Sequence, residues 1–556
     1  MKNFIIVICC LFFFDTQSQN SYSLLVQKAR DKAWNAKEKI DDEDALKMFE
    51  DAFLMFADSI KGSDVYEASV VASKLNKRDK AFVYLNSLLK IKKEEDGYPT
   101  WDYVLGSYSK EDYQNLLVDL RWKNIQAEAL LYKKQFMDSL IKQENEFYNR
   151  ISVDFSKIKN PKKLYKVLKE FHQYEPKLNQ NYSIRFKIND TLSSSFFVHL
   201  PKNYNPKKKY SMLFFLHGAV RGGQFTDFQL ESWNLKNWNR FYTKYADLNE
   251  VILVFPQANK AFNWMLSDQG FFMVPQILKN IKKNINIDDD RVFISGHSNG
   301  ATGAFSYLMK QPTLFSGFYG FNTYPKVFTG GTFIENIKNR SFINFSTDED
   351  YYYPPNANDD FTKLMQSIKV DYKEYRFNGF PHWLPEFNES EEAYQIMFED
   401  MNNRKRNSFP NTIHWQFDDE TYGHIDWLSD IKMDTLNNNL SKTINFKIEK
   451  WLAYDANDSL IFQDVEKQAF DFPRKSAKIN ATYKNNVFRL ETTNVKSLVI
   501  NISPEMVQLN KKIKVYVNDK LHFNKRVIYN KIFMLNEFEE KRDREQLWIN
   551  SIQIEL

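Results

Sequence analysis

The chain has 556 residues, which is too long for one compact domain and predicts about two to four. Hydrophobic residues make up 43% and charged residues 26% of it, enough for real cores with an ordinary charge content. The net charge of +5 is small for this length and both signs are interspersed, so nothing in the sequence indicates nucleic-acid binding.

Residues 1–19 are typical of an export signal. Lys2 precedes the apolar run Phe4–Phe14, which is too short to anchor the chain in a bilayer, and polar residues follow as a cleavage zone. We therefore expect an exported protein, periplasmic or secreted, without a membrane span in its mature part; an uncleaved anchor is the alternative. Both cysteines, Cys9 and Cys10, lie in this segment, so removing it excludes disulfides and cysteine-ligated metals.

Residues 20–178 have a helical pattern with few glycines or prolines. The segment Ala45–Phe53 recurs in style at Ala81–Leu89, at an offset close to the period of tetratricopeptide repeats, which this region weakly resembles. Two interpretations follow: a groove for a protein partner, or a helical cap packed on the next domain. We favour the cap.

Residues 179–405 alternate between strand-like and helical segments. Ser183–Ile188 and Ser195–Leu200 predict an antiparallel pair, and Tyr210–Leu216 predicts a buried strand that ends at His217-Gly218-Ala219. We expect His217 to fix this loop rather than to act as a base.

The strongest motif is the pentapeptide Gly296-His297-Ser298-Asn299-Gly300. An apolar strand-like run precedes it, and a helical run from Ala301 to Lys310 follows. A serine at a sharp strand-to-helix turn is a nucleophile elbow, with its hydroxyl exposed. The amide of Asn299 is then free at a helix N-terminus to hold an oxyanion. An ordinary Gly-Ser turn before a helix is the alternative.

Candidates for an acid and a base follow in the chain order Ser, Asp, His. The predicted strand Ser341–Phe345 leads into a loop with three carboxylates, of which Asp350 is preferred, Asp348 is second and Glu349 is third. The predicted strand Asp371–Phe377 leads into a glycine-containing loop with His382, which a predicted helix over about 388–401 follows. This order is that of α/β-hydrolases.

These motifs together resemble the α/β-hydrolase superfamily over residues 182–404. They are most similar to secreted bacterial esterases related to polyhydroxybutyrate depolymerases and feruloyl or acetyl-xylan esterases. The resemblance implies a mostly parallel sheet, a triad of Ser298, Asp350 and His382, and an oxyanion hole formed by the amides of Asn299 and Ala219. It implies no metal or organic cofactor. Nearby aromatic residues either line a pocket or belong to the core; these are Trp264, Trp383 and Tyr351–Tyr353.

Residues 406–556 change to a strand-like pattern and predict a β-sandwich. Seven strands are expected, at Thr412–Asp418, His424–Ile431, Thr443–Trp451, Ala477–Tyr483, Asn486–Glu491, Ser497–Ile502 and Lys512–Val517. This region is either a carbohydrate- or partner-binding module or, as we favour, a rigid accessory domain on one edge of the hydrolase.

Three functions fit the sequence. The first is an exported carboxylic-ester hydrolase acting on a small-molecule or polysaccharide-linked ester. The second is a serine peptidase of the prolyl-oligopeptidase type, which shares the fold and triad but carries a β-propeller before them, where this chain has a helical region. The third is a non-catalytic binding protein on a hydrolase fold.

Overall fold

The computed structural model describes residues 21–219, 228–260, 262–265, 268–434, 436, 440, 444–470 and 473–556. The predicted export signal therefore lies outside the described residues, and export stays a prediction. The chain forms two compact units: one contains the residues up to Lys142 together with Leu230–Ser232, and the other contains Gln143–Gln229 and Trp233–Leu556. None of the described helices combines the length and apolarity that crossing a bilayer requires.

The first unit is helical. Its helices are α1 (residues 21–34), α2 (Lys39–Met55), α3 (Gly62–Lys74), α4 (Arg78–Ile91), α5 (Asp102–Leu105), α6 (Ser109–Asp112) and α7 (Leu120–Tyr148), which continues into the second unit. The offset noted in the sequence recurs in burial: Ala45 and Phe49 of α2 and Ala81 and Leu85 of α4 are all buried. The tetratricopeptide-like interpretation stays a prediction.

The second unit contains an eight-stranded, mostly parallel sheet. Its strands are β1 (Asn181–Lys187), β2 (Ser193–His199), β3 (Tyr210–Leu216), β4 (Ile252–Pro256), β5 (Ile287–His297), β6 (Gly317–Phe321), β7 (Ser341–Glu349) and β8 (Tyr372–Pro381), in the spatial order β1-β2-β4-β3-β5-β6-β7-β8. Only β2 runs against its neighbours, β1 and β4, and the other neighbouring pairs are parallel.

Alternate residues of each central strand enter two different cores, which explains their nearly continuous apolar sequences. In β3, Phe214 packs in one core and Phe215 in the other. The sheet is thus covered on both faces, as parallel sheets require. Its helices are α9 (Glu231–Leu235), α10 (Arg240–Asn249), α11 (Asp268–Asn284), α12 (Asn299–Lys310), α13 (Pro355–Ile368) and α14 (Glu391–Asn403).

The remaining strands form three smaller sheets. They are β9 (Thr412–Phe417), β10 (Leu428–Met433), β11 (Lys447–Tyr454), β12 (Leu460–Gln468), β13 (Ala477–Lys484), β14 (Val487–Thr493), β15 (Val495–Ile502), β16 (Ile513–Val517), β17 (Lys520–Lys525) and β18 (Asn550–Glu555), with helix α15 (Lys531–Lys541) before β18. The sheets have the orders β10-β15-β18, β17-β16-β14-β13-β9 and β11-β12. The first two contribute to one apolar core, whereas the β11–β12 hairpin packs on α13.

Several sequence predictions differ from these bounds. The strand predicted at His424–Ile431 starts only at Leu428, because residues 426–427 form a turn that Ile425 and Leu428 bridge. The strand predicted to end at Phe377 continues to Pro381, so His382 directly follows the strand, and the predicted glycine-containing loop before it is part of that strand. Helix α8 (Pro161–Lys169) lies within the predicted helical domain, yet Leu164 and Leu168 pack in the core of the C-terminal strands. The domain limits at 178 and 405 stay predictions.

A buried ion cluster links the large sheet to the C-terminal strands. The Lys282 ammonium lies 3.0 Å from Asp289 and 3.1 Å from Asp543. Arg406 lies 3.0 Å from Asp543, and Arg544 lies 2.8 Å from Asp289. Each of these five side chains is at most 2% exposed. Such a cluster favours a fixed accessory region, because separating the regions would leave buried charges without partners.

Candidate active site

Ser298 stands alone between β5 and α12, at the turn that the sequence predicts. Its backbone has φ 56° and ψ −120°, a combination that a residue with a side chain rarely adopts. Two backbone hydrogen bonds hold it: Ser298 N–H donates to Phe321 O at 3.0 Å, and Thr302 N–H donates to Ser298 O at 3.0 Å. Strain of this kind, about 1–3 kcal/mol, is typical of functional sites.

Both glycines of the pentapeptide are required because any side chain at these positions would overlap backbone atoms. A Cβ atom on Gly300 would stand 1.8 Å from the carbonyl oxygen of Leu216, and one on Gly296 would stand 2.3 Å from that of Gly300. Backbone atoms cannot yield to such overlap, so the tight packing of β3, β5 and α12 depends on these two residues.

His382 lies between the serine and a carboxylate. Its Nε2 is 2.8 Å from Ser298 Oγ, and its Nδ1 is 2.9 Å from Asp350 Oδ1. Both His382 and Asp350 are almost completely buried, at 2% and 1% exposure. This arrangement lets one imidazole nitrogen accept the serine proton while the other donates to the carboxylate.

The three carboxylates that compete in the sequence have different surroundings. Asp350 Oδ1 also accepts a hydrogen bond from the Tyr352 amide at 2.9 Å, and Asp350 Oδ2 accepts one from Asn322 Nδ2 at 3.0 Å. Asp348 instead accepts the amide of Gly379 at 2.7 Å. Glu349 is exposed. The sequence did not indicate Asn322, because a single asparagine after a strand matches no known motif.

His297, inside the pentapeptide, has a positioning contact that the sequence also did not indicate. Its Nε2 lies 2.8 Å from the carbonyl oxygen of His382, to which it donates. Burial is the main reason that its pKa falls to about 3, and proximity to His382 lowers it further. His297 is therefore a neutral ring that holds the backbone of His382 through this hydrogen bond.

The predicted oxyanion donors, Asn299 and Ala219, are in segments next to Ser298. Asn299 is the first residue of α12, where an amide has no acceptor within the helix. Across from it, a Cβ atom on Gly218 would lie 3.4 Å from Ser298 Cβ, so the backbone that leads to Ala219 runs beside the serine. Ala219 is exposed, and the rest of this loop, 220–227, lies outside the described residues. Their function as oxyanion donors stays a prediction.

His217 fixes the start of this loop. Its Nε2 accepts the amide of Ala258 at 3.0 Å, and its carbonyl accepts Trp264 Nε1–H at 3.2 Å. Burial lowers the pKa of His217 to about 4, so the ring is neutral at pH 7. These contacts agree with a loop-fixing residue.

Four of the five aromatic residues near the motifs divide into two groups, and the fifth, Tyr351, is half-buried. Trp264 and Tyr353 are buried in the core, at 0% and 2% exposure. Tyr352 and Trp383 are 48% and 37% exposed, and their ring centroids lie 4.4 Å and 4.9 Å from that of His382. The second pair is therefore in a position to contact a molecule bound beside His382. Among the described residues, no three histidine, cysteine or acidic side chains cluster as metal ligands.

Part of the chain that carries this site resembles a known protein family. Residues 193–326 match the family model described as “Putative esterase”. The match covers Ser298 and ends before Asp350 and His382. It confirms the predicted likeness to esterases of the α/β-hydrolase fold and the prediction that the chain is an enzyme. A search of curated proteins finds no match.

Solved structures similar to the esterase region have low scores. A thermostable esterase is 22% identical, with a TM-score of 0.32, over 41% of this chain and 64% of that one. Esterase 2 of Thermogutta terrifontis is 14% identical, with a TM-score of 0.32, over 42% and 96% of the two chains. A ferulic acid esterase is 18% identical, with a TM-score of 0.31, over 40% and 98%. The chain thus spans less than two thirds of the thermostable esterase's length.

Proposed function

We propose that this protein hydrolyses carboxylic esters through an acyl-enzyme, with Ser298 as nucleophile, His382 as base and Asp350 as the acid that orients it. The main support is the pair of hydrogen bonds made by His382, to Ser298 Oγ at 2.8 Å and to Asp350 Oδ1 at 2.9 Å. The match of residues 193–326 to the esterase model supports ester hydrolysis as the reaction class.

The proposed reaction has two halves. His382 Nε2 takes the proton of Ser298 while Oγ attacks the acyl carbon, and the amides of Asn299 and Ala219 hold the oxyanion. Asp350 stabilises the imidazolium, which then gives its proton to the departing alcohol. Water repeats these steps on the acyl-enzyme, releasing the acid and restoring Ser298.

Ester and amide turnover test this proposal. We expect the protein to hydrolyse p-nitrophenyl acetate faster than a Gly-Pro anilide, and Ser298→Ala to lower kcat by about 10⁶. Ser306→Ala is the matched control, because Ser306 is a buried serine of α12 whose Oγ donates to Thr302 O within the helix. Undiminished turnover in Ser298→Ala would overturn the proposal, and faster anilide cleavage would favour the peptidase alternative.

Labelling separates an enzyme from a binding protein. A fluorophosphonate should react with the protein and with Ser306→Ala but not with Ser298→Ala, because only an activated serine attacks it. A protein that resists the reagent and turns over neither substrate would be the non-catalytic alternative.

A further inference from the structure

Aromatic rings that are exposed or, at Tyr351, half-buried continue from the triad onto the C-terminal hairpin. Tyr352 faces His382, and the next ring, Tyr351, lies 4.4 Å from Tyr352 between centroids. The ring of Tyr454 lies 5.3 Å from Tyr351. Tyr454 is the last residue of β11 and is 51% exposed. Trp383 and Tyr352 therefore lie beside His382, and Tyr351 and Tyr454 continue the series from Tyr352.

The hairpin that carries Tyr454 is tied to the loop that carries Asp350. Trp451 Nε1–H donates to the carbonyl oxygen of Tyr351 at 2.9 Å. Asn356 Nδ2, at the start of α13, donates to the carbonyl oxygen of Lys450 at 2.9 Å. The Trp451 ring also packs edge-on against Tyr353, with centroids 6.1 Å apart. Tyr454 is thus held in place relative to the triad.

The rings are uncharged and are not all parallel. Tyr352 and Trp383 meet at 74°, and Tyr351 and Tyr454 at 65°, so they form walls rather than one flat surface. Contiguous exposed apolar surface next to a catalytic serine is characteristic of substrate sites. A ring inserted between such walls gains both burial and ring–ring contact.

We propose that Tyr454, at the end of β11, belongs to the substrate site and, with Tyr351 and Tyr352, binds an uncharged ring in the acid or alcohol portion of the ester. This proposal rests on the proposed function. It assigns to the C-terminal region a part in substrate selection, in addition to its structural attachment.

Kinetics with three esters test the assignment: ethyl acetate without a ring, ethyl cinnamate with a ring in the acid, and 6-O-acetylglucose with a ring in the alcohol. Tyr454→Ala should raise KM about two- to tenfold for a ring-bearing ester, the equivalent of one aromatic contact, and leave ethyl acetate unchanged. The ester that responds identifies the side on which the ring lies.

Two controls separate recognition from damage. Tyr454→Phe keeps the ring and should behave as the unaltered protein. Phe462→Ala removes an equally exposed ring, 51%, from the partner strand opposite Leu452, and should have no effect. An unchanged KM for both ring-bearing esters in Tyr454→Ala, or an equal change for all three, would overturn the proposal.

Binding measurements on an inactive variant test the ring site independently of ester hydrolysis. Calorimetry with ethyl cinnamate and 6-O-acetylglucose on the Ser298→Ala protein needs no turnover. If binding weakens when Tyr454→Ala is added, the ring site stands even where the unaltered protein hydrolyses none of the esters. If neither compound binds, or if Tyr454→Ala leaves binding unchanged, the ring site is wrong.

Discussion

Single side chains at this site are fixed by several hydrogen bonds each. Asp350 uses both carboxylate oxygens, one for His382 and the Tyr352 amide and the other for Asn322. His382 is held at both ring nitrogens and, through its carbonyl, by His297. A side chain with every polar atom engaged keeps its orientation without reorganising during the reaction, which favours catalysis.

The two neighbouring aspartates provide a matched comparison. Asp350→Asn should lower kcat by about 10⁴, because the amide keeps the shape of the carboxylate but no longer selects the correct imidazole tautomer. Asp348→Asn should stay within a few-fold of the unaltered protein, since Asp348 contacts Gly379 and not His382. Steady-state kinetics on p-nitrophenyl acetate measure both. A larger loss in Asp348→Asn would move the acid to that residue.

At the scale of elements, the site depends on two strands and one helix whose backbones meet without side chains between them. Strand β5 enters the turn, helix α12 leaves it, and the end of β3 lies against the first turn of that helix. Gly300 is where β3 and α12 touch. The strained backbone of Ser298 persists because these elements are fixed by the cores on both faces of the sheet.

Gly300→Ala should therefore lower the free energy of unfolding by about 3 kcal/mol or more, because its Cβ would overlap backbone of β3. Gly379 is the control: it has φ 78°, but a Cβ there meets nothing within 4 Å. Gly379→Ala should lower the free energy of unfolding only by the cost of a left-handed backbone at alanine, about 1–2 kcal/mol. Urea denaturation compares the two. Equal losses would show that β3 moves away from α12 at little cost.

At the scale of the molecule, the ion cluster predicts that the large sheet and the C-terminal strands unfold together. Burial alone raises the pKa of Asp543, but Arg406 and Lys282 reverse this and hold it below its usual value. Asp543→Ala removes this partner from the buried Lys282 and Arg406. It should lower the free energy of unfolding, measured in urea, by about 3–5 kcal/mol. Lys209→Ala removes an exposed pair with Glu545 and should cost at most about 1 kcal/mol. A small loss in Asp543→Ala would mean that the regions separate easily.

Three histidines make the stability of the whole molecule depend on pH. Burial lowers the pKa of His297 to about 3, and those of His217 and His424 to about 4. Unfolded histidines titrate near pH 6.5, so below that pH the unfolded chain binds more protons than the folded one. The stabilisation from neutral rings is complete above about pH 6.5 and is lost as the pH falls toward 4.

We therefore expect the free energy of unfolding to fall between pH 7 and pH 5, and His297→Gln to reduce that fall by about 1–2 kcal/mol. His172→Gln, which alters an exposed histidine, is the control. Urea titrations at the two pH values measure the difference. An identical fall in His297→Gln and in the unaltered protein would contradict the assignment.

The sequence predicted the elements that are apolar on both faces. The strand Tyr210–Leu216 has the expected bounds, and the elbow lies where the pentapeptide placed it. It did not predict Leu460–Gln468 or Asn550–Glu555, because the first is mostly exposed and the second buries only Ile552 and Ile554. The contacts of Asn322 and His297 were not predictable, because residues far along the chain provide their partners.

The C-terminal core also determines when the protein can fold during synthesis. Leu164 and Leu168 pack in the same core as residues of β18, and Tyr165 hydroxyl lies 3.0 Å from Glu505, 340 residues later. The ribosome makes α8 long before β15 or β18. Leu164 and Leu168 therefore stay without their packing partners while the strands of the large sheet are synthesised. A chain cut after residue 405 would therefore still contain α8 with its apolar face uncovered. Removing the C-terminal region should therefore generate an aggregation-prone protein and not a smaller folded one.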